Sequence, residues 1–316
     1  MKVTVAVVSW NTRALLEDCL ASLKDDAEEG LCEVWVADNA SEDGSPEMVR
    51  ERFPWVRLLA NDENAGFGAA VNAVAAQSQS EWIAAANADV RATPGALQAL
   101  LRAGAGDPRA GAVAPRLVLP DGSVQHSVFP FPTLTVTLLA NLGAASLSRR
   151  LADRWCLPGG WDPDRPRRVP WAVGALLLVR RAAWDEIGGF DPRQWMYAED
   201  LDLGWRLSRA GWHTRYEPAA VVHHQESAAT TRAWGDGRSE RWHRATYAWL
   251  LRRRGLLATR AIAALNVGGA LARAALLAPA ALIRRRRWGP PLRVALRTAR
   301  AHLVGFAPRS ELAGHR

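Results

Sequence analysis

Two rhythms of hydrophobic positions alternate through roughly the first 115 residues. Val3–Val8 is a continuous apolar, β-branched run and predicts a buried strand, whereas Thr12–Leu23 carries Leu15, Leu16, Leu20 and Leu23 at helical spacing. Val34–Ala37 and Val56–Leu59 predict two more strands, with a helix over Pro46–Phe53 between them. Gly66–Ala76 then reads as a small-residue helix, Trp82–Ala86 as a fourth strand and Pro94–Ala103 as a helix. This order of elements predicts an α/β fold, a Rossmann-like and mostly parallel sheet flanked by helices. From Val113 to about Arg168 the chain is irregular and rich in Pro, Gly and Trp, as expected of loops and mixed sheet walling a cleft. Strand and helix signals return at Pro170–Arg181, which includes the apolar run Ala175–Val179, and at Leu201–Ala210.

Beyond Arg241 the pattern changes to helix rich in Ala, Leu and Arg, and the charge changes with it. Residues 241–316 hold sixteen Arg, no Lys and one acid, Glu311. Of the net charge of +8 this tail carries +15, which leaves −7 for residues 1–240. The chain therefore divides into a domain over 1–240 and a basic, amphipathic helical tail over 241–316. With 316 residues, 49% of them hydrophobic, there is ample material for a core. Val3–Val8 is too short for the apolar region of a secretion signal, and the odd set Cys19, Cys32 and Cys156 lacks metal-type spacing. Both features suit a reducing, cytoplasmic setting.

Polar residues gather where each predicted strand ends, the place where ligands of parallel sheets sit. Ser9 and Asn11 follow the first strand, Asp38 and Asn39 the second, Asn61 and Asn64 the third, Asn87 and Asp89 the fourth. An Asp or Asn there can hydrogen-bond a pyrimidine imide edge or a ribose hydroxyl; the plainer alternative for Asp38–Ser45 is an ordinary turn and helix cap. Asn64-Ala65-Gly66-Phe67-Gly68 opens a helix with two glycines that would let backbone N–H groups approach a phosphate, without the full glycine pattern of either common nucleotide loop. Asn87-Ala88-Asp89 offers oxygen ligands for a hard divalent ion, or a helix cap ahead of Pro94. Gly188-Gly189-Phe190-Asp191 leads into Glu199-Asp200-Leu201-Asp202, three carboxylates in four residues. Asp202 and Arg206 form an i,i+4 pair there, and the acids also suit a helix N-terminus. His223-His224 closes the strand-like Ala219–Val222, and alternation lets only one of them face a metal. Trp161, Trp171 and Trp195 could stack on sugar rings.

Taken in order, these segments resemble glycosyltransferase family 2, the inverting nucleotide-sugar enzymes of GT-A fold, and among them the rhamnosyltransferase-like bacterial members. The resemblance runs from residue 3 to about 228. It rests on Val8-Ser9-Trp10-Asn11, Asp38–Ser45, Asn64–Gly68 with Asn72, Asn87–Asp89, Gly174–Arg181 running to Gly188–Asp191, Tyr197–Arg206 and Pro218–His224. It implies that Asp38, with Ser9 and Asn11, holds the pyrimidine nucleotide, and that Asn64, Gly66 and Asn87 lie on the donor side. Asp89 would bind a divalent metal, Mg2+ or Mn2+, with His224, six residues after Pro218, as a further ligand. Asn87 stands where many relatives have Asp, which moves the burden to Asp89. Asp200 would be the catalytic base, and Glu199, Asp191 and Trp195 are expected on the acceptor side. The reaction implied is transfer from a nucleoside-diphosphate sugar, dTDP-rhamnose as the first expectation, to a glycan or lipid-linked acceptor.

Ala261–Ile283 is apolar apart from Arg273 and is flanked by Arg252–Arg254 and Arg284–Arg287. The central Arg, Gly268-Gly269 and Pro279 argue against a spanning helix and for helices lying on an anionic leaflet. A helical pair with a solvated basic face is the alternative. Two rival functions remain at this point. A nucleotidyltransferase could use the same acids, but its lysine-bearing loop is absent, since Lys2 and Lys24 are the only lysines. A non-enzymatic protein binding membrane or nucleic acid would leave Asp89, Asp200 and His224 without a task.

Overall fold

The computed structural model describes residues 2–143, 146, 148–157, 160–225 and 238–313. The chain forms two compact units, Met1–Phe129 with Asp162–Gly235 and Pro130–Trp161 with Asp236–Arg316.

The first unit is built on β1 (Val3–Ser9), β2 (Cys32–Asp38), β3 (Arg57–Ala60), β4 (Trp82–Asn87), β5 (Val90–Ala92), β6 (Ala110–Val118), β7 (Val128–Phe129), β8 (Arg167–Val169), β9 (Trp171–Ala172), β10 (Leu176–Arg180) and β11 (His213–His224). The main sheet runs β3-β2-β1-β4-β10-β6-β11-β5, with β8 added on β11. The first four strands are parallel, and their register brings Ser9 opposite Asp38 and Val8 opposite Asn87. Side chains such as Val5, Val7, Val36 and Ala84 are buried because helices cover both faces, which is why these strands read as unbroken apolar runs. The helices are α1 (Arg13–Ser22), α2 (Lys24–Glu28), α3 (Ser45–Arg52), α4 (Phe67–Ala76) and α5 (Ala96–Ala105).

Beyond β4 the sheet is mixed. β10 inserts antiparallel between β4 and β6, β11 runs parallel to β6, and β5 pairs antiparallel with the end of β11. Side-chain alternation is the same for either strand direction, so the pattern alone could not show this. Asp89 lies in the tight connection between β4 and β5, not at a helix cap.

The second unit is helical, and it differs from expectation in one respect. Residues 130–161, expected as loops and mixed sheet, contribute Leu134–Asn141 and Arg149–Arg154, helices capped by the Thr133 and Ser148 hydroxyls, which accept from Val136 N and Leu151 N. They belong to the same unit as the tail. The tail helices are Arg238–Ile283, broken at Gly255 where φ is +82°, followed by Arg285–His302 and Arg309–Ala313. The unit therefore joins the tail to an earlier segment, Pro130–Trp161. The last three residues of the tail lie outside the described residues.

Candidate active site

The second strand ends in a carboxylate with one oxygen unused. Asp38 is 1% exposed; its Oδ1 accepts from Ser41 N at 2.8 Å, and its Oδ2 is buried with no hydrogen-bond partner. Burial pushes this carboxyl above the usual range, opposed by the bonds from Ser41. The loop around it is cross-tied, since Asn11 N donates to Ser41 Oγ at 2.9 Å and Asn11 Oδ1 accepts from Glu42 N at 2.8 Å. These bonds hold Asn11 and Ala40 at φ near +53° and +59°, a strained setting for residues with a Cβ. Ser9 is fully buried with its hydroxyl 3.2 Å from Thr12 Oγ1, so it braces the loop from behind and is not open to a nucleotide.

Asp89 and His224 face each other across β5 and β11. The register places Val90 opposite His224, and Gln225 N donates to Asp89 O at 3.0 Å. His224 Nε2 lies 3.3 Å from Asp89 Oδ1, and each atom is buried without a hydrogen bond. His224 Nδ1 is 2.8 Å from Gln125 Oε1, which fixes the ring with Nε2 toward Asp89. Two adjacent ligands of an octahedral Mg2+, each about 2.0–2.1 Å from it, stand about 3 Å apart, so the pair fits a hard divalent ion. No group of three or more such side chains converges among the described residues, so a bound diphosphate would have to complete the shell. A cleft of about 350 Å³ opens here, lined by Asp18, Asp89, Arg91, His223, His224 and Gln225. Asn87, half-buried, ends β4 with its N–H on Ala175 O.

The glycines at the head of α4 serve a different purpose from the one their sequence suggested. Gly66 N donates to Asn64 Oδ1 at 3.0 Å and is not available to a phosphate. A Cβ on Gly66 would run into the Trp195 carbonyl and lie 2.8 Å from Trp195 Cδ1, and one on Gly68 would lie 2.8 Å from Phe190 Cβ. Trp195 Nε1 in turn donates to Asn64 O at 3.2 Å, so its ring edge rests on this loop. Asn72 completes the seam, accepting from Phe190 N and donating to Phe190 O, both at 2.9 Å. Asp191 is held by its own loop through Arg193, with Nε–Oδ1 at 2.9 Å and Nη2–Oδ2 at 2.7 Å. That carboxylate fixes a turn and does not stand open to an acceptor.

From this seam the chain passes through Tyr197 and Ala198, both left-handed, into the helix Glu199–Arg209. Asp200 Oδ1 accepts from Leu201 N at 2.7 Å and Oδ2 from Gly174 N at 3.2 Å. Burial raises its carboxyl, while these two amides favour its charge. Glu199 is pushed up to about 8, first by burial and then by the charge of Asp200, and its Oε2 is buried without a partner. Burial thus raises both adjacent carboxyls, and Glu199 is pushed further by the charge of Asp200. Asp202 is fully buried on Arg206, Oδ2 to Nε at 2.6 Å, the helix brace that its spacing predicted. Trp171 stacks on Phe129, centroids 5.0 Å apart, which occupies one of its faces. Trp161 belongs to the other unit.

Sequence reasoning missed the roles of Gln125, Gly174 and Asn72. Gln125 carries no signal beyond position, and Gly174 entered only as the first residue of the motif Gly174–Arg181. Asn72 did carry one, as the only polar side chain of the otherwise apolar Phe67–Ala76.

The glycosyl transferase family 2 model matches residues 4–128, and the glycosyl transferase family group 2 model matches residues 82–292. The N-acetylglucosaminyl-diphospho-decaprenol L-rhamnosyltransferase of Mycobacterium tuberculosis is 39% identical over 241 residues, 72% of this chain and 77% of that protein. The chain belongs to glycosyltransferase family 2. Among its relatives, rhamnosyltransferase WbbL of Escherichia coli is 36% identical over 91 residues, 27% of this chain and 32% of that one. The transferase also shares its fold with a Pyrobaculum calidifontis mannosyltransferase solved with GDP-Man and Mn2+, at a TM-score of 0.59 and 20% identity over 98% of this chain and 86% of that one. Staphylococcus aureus TarS 1–349 gives a TM-score of 0.52 at 14% identity over 84% and 70% of the two chains. These two likenesses concern the fold, which is the GT-A fold that the motifs implied.

Proposed function

We propose that this transferase moves a sugar from a nucleoside-diphosphate sugar to a hydroxyl of a lipid-linked or glycan acceptor, with inversion at the anomeric carbon. The reading rests on one observation: Asp38 Oδ2 is buried without a partner, and Asp89 Oδ1 and His224 Nε2 are buried with no hydrogen bond and only each other at 3.3 Å, all at strand ends of one sheet. A pyrimidine nucleotide diphosphate and its cation would satisfy all three. Rhamnose from dTDP-rhamnose is the donor favoured by the likeness to the decaprenol-linked L-rhamnosyltransferase, and that relative's name also favours a lipid-linked acceptor.

Asp38 would accept the N3–H of the base, held in place by the Asn11–Ser41 ties. Asp89 and His224 would hold Mg2+ or Mn2+, which when bound neutralises charge growing on the departing diphosphate. Asp200, its two oxygens aligned by the Leu201 and Gly174 amides, takes the proton of the acceptor hydroxyl. That oxygen attacks the anomeric carbon opposite the leaving group; the new C–O bond forms as the bond to the diphosphate breaks, and the nucleoside diphosphate leaves with the electron pair. The apolar, acid-poor helical tail favours an anionic membrane over nucleic acid as its partner, with the enzyme peripheral on the cytoplasmic face.

The test is donor hydrolysis and binding with UDP-, dTDP- and GDP-sugars, with and without Mn2+ or Mg2+. Metal-dependent turnover of dTDP-rhamnose is expected. Turnover of another sugar nucleotide would replace the donor, and no response to any would overturn the reading.

A further inference from the structure

Every exposed large hydrophobic side chain among the described residues lies in the helical unit, from Leu134 to Phe306; the sheet-bearing unit has none. They are not scattered. Between Leu257 and Ile283 the exposed positions are Leu257, Ala264, Gly268, Leu271, Ala272, Arg273, Ala275, Leu276, Pro279, Leu282 and Ile283. At 3.6 residues per turn all but Arg273 fall within a sector of about 140°, a stripe about 40 Å long without a polar side chain. Leu276, Leu282 and Ile283 are 80%, 87% and 82% exposed. The opposite side, Ala263, Ala270, Ala274 and Ala281, is buried. This helix is thus apolar on both faces, and only one face is covered by its own chain. Soluble helices put polar residues on the second face.

The helix that follows supplies the complementary charge. Arg286, Arg293, Arg297 and Arg300 are all exposed and fall on one face of Arg285–His302, about 60° wide. The whole tail contains a single acid, Glu311, so nothing offsets this stripe.

We propose that the stripe Leu257–Ile283 lies in the plane of an anionic bilayer leaflet, immersed to the depth of its apolar side chains, while the Arg286–Arg300 face binds lipid phosphates. This rests on the membrane reading above and deepens it by naming the surface and its orientation. A spanning arrangement is disfavoured because one face of the helix is already packed and the partnering helix carries its Arg row through the middle of its length. A second copy is disfavoured as the occupant because the tail would oppose a tail equally positive. Interfacial helices of this composition, apolar on one side and Arg-rich on the other, bind anionic surfaces through both terms together.

The test uses the full chain and vesicles of phosphatidylcholine alone or with 30% phosphatidylglycerol. Wild type should co-sediment with the anionic vesicles at least about tenfold more strongly, with a preference that weakens as salt rises. The variant L276N/L282N/I283N changes only exposed side chains and should lose about tenfold or more at any salt. R286Q/R293Q/R297Q/R300Q should lose chiefly the preference for the anionic lipid. Unchanged vesicle binding by the leucine variant would overturn the proposal. So would resistance to alkaline extraction, which marks a spanning helix, or a dimer that the leucine variant dissolves. Donor hydrolysis without vesicles separates the two readings. Both variants should retain it, whereas a chain that binds vesicles but hydrolyses no donor would sink the transferase assignment and leave the surface standing.

Discussion

Replacing Asn72 by alanine cuts the seam between the loop Asn64–Gly68 and the segment that leads from Phe190 to Asp200. Two hydrogen bonds of 2.9 Å to the Phe190 backbone are lost, and Phe190 is fully buried, so its N–H and C=O are left without partners. Each bond contributes about 1 kcal/mol net, and each stranded group costs about 1–3 kcal/mol less whatever water recovers, so the loss should be about 2–4 kcal/mol. Urea unfolding reads that number directly. Because the freed segment runs through Tyr197 and Ala198 into Asp200, the same disorder should reach the chemical step. If the whole of that loss reached the chemical step, at about 1.4 kcal/mol per decade kcat would fall about 30- to 700-fold, while the donor KM, which the proposal assigns to Asp38 and Asp89, stays within about threefold. Asn72→Asp keeps the acceptor for Phe190 N but points an oxygen at Phe190 O, so it should be no better than alanine. A stability within about 0.5 kcal/mol of wild type with unchanged kcat would refute the reasoning, as would an aspartate variant that behaves like wild type.

Asp200→Asn should lower kcat by about 10³-fold or more while the donor Kd, measured by calorimetry, changes less than about twofold; near-normal turnover would remove Asp200 as the base. Glu199 releases its proton near 4.5 when unfolded and at about 8 in the fold, so its share of stability is complete below 4.5 and is lost as pH rises through 8. Unfolding at pH 5, 7 and 9 should show a smaller decline for Glu199→Gln than for wild type. Gly66→Ala should cost at least about 2 kcal/mol in the same assay, because φ is +85° and the new methyl meets the Trp195 carbonyl. Asp89→Asn and His224→Ala should each weaken Mn2+ binding about tenfold or more in the presence of nucleoside diphosphate, followed by electron paramagnetic resonance; normal affinity in both would place the ion elsewhere.

The parallel half of the sheet was legible because burial on both faces writes it as the uninterrupted runs Val3–Val8, Val34–Ala37 and Trp82–Ala86. The antiparallel insertion of β10 was not, since Leu176–Arg180 looks the same in either direction. Leu134–Asn141 hid its helix behind Thr and Val, residues of strand character, and declares itself only through the Thr133 cap. At the site, residue types pointed to Asp38, Asp89, Asp200 and His224, all at element ends where polar side chains break an apolar pattern. They did not show the local contacts of Gly66, Asp191 and Ser9, because a glycine, an acid or a hydroxyl that packs or bonds between loops looks the same in the sequence as one that meets a ligand. The partners that decide those cases, Trp195, Arg193 and Thr12, are set by tertiary contact alone in the first case and by local turns in the other two.

The pairing of β5 with the end of β11 has a consequence for how the chain reaches its native state. Asp89 lies in the early part of the sequence, but the strand that carries His224 is the last of the sheet to be synthesised, and it must enter between β6 and β5 to close the ladder. Until it does, both neighbouring edges are open to mispairing, and the contacts that seal them span much of the chain, which makes this a slow step. Asp89 and His224 can therefore come together only when the sheet is complete. If they hold the proposed ion, a nascent or clipped chain that stops short of β11 would keep the parallel half and bind none, so the acquisition of Mn2+ during refolding should report the closing event rather than the initial collapse.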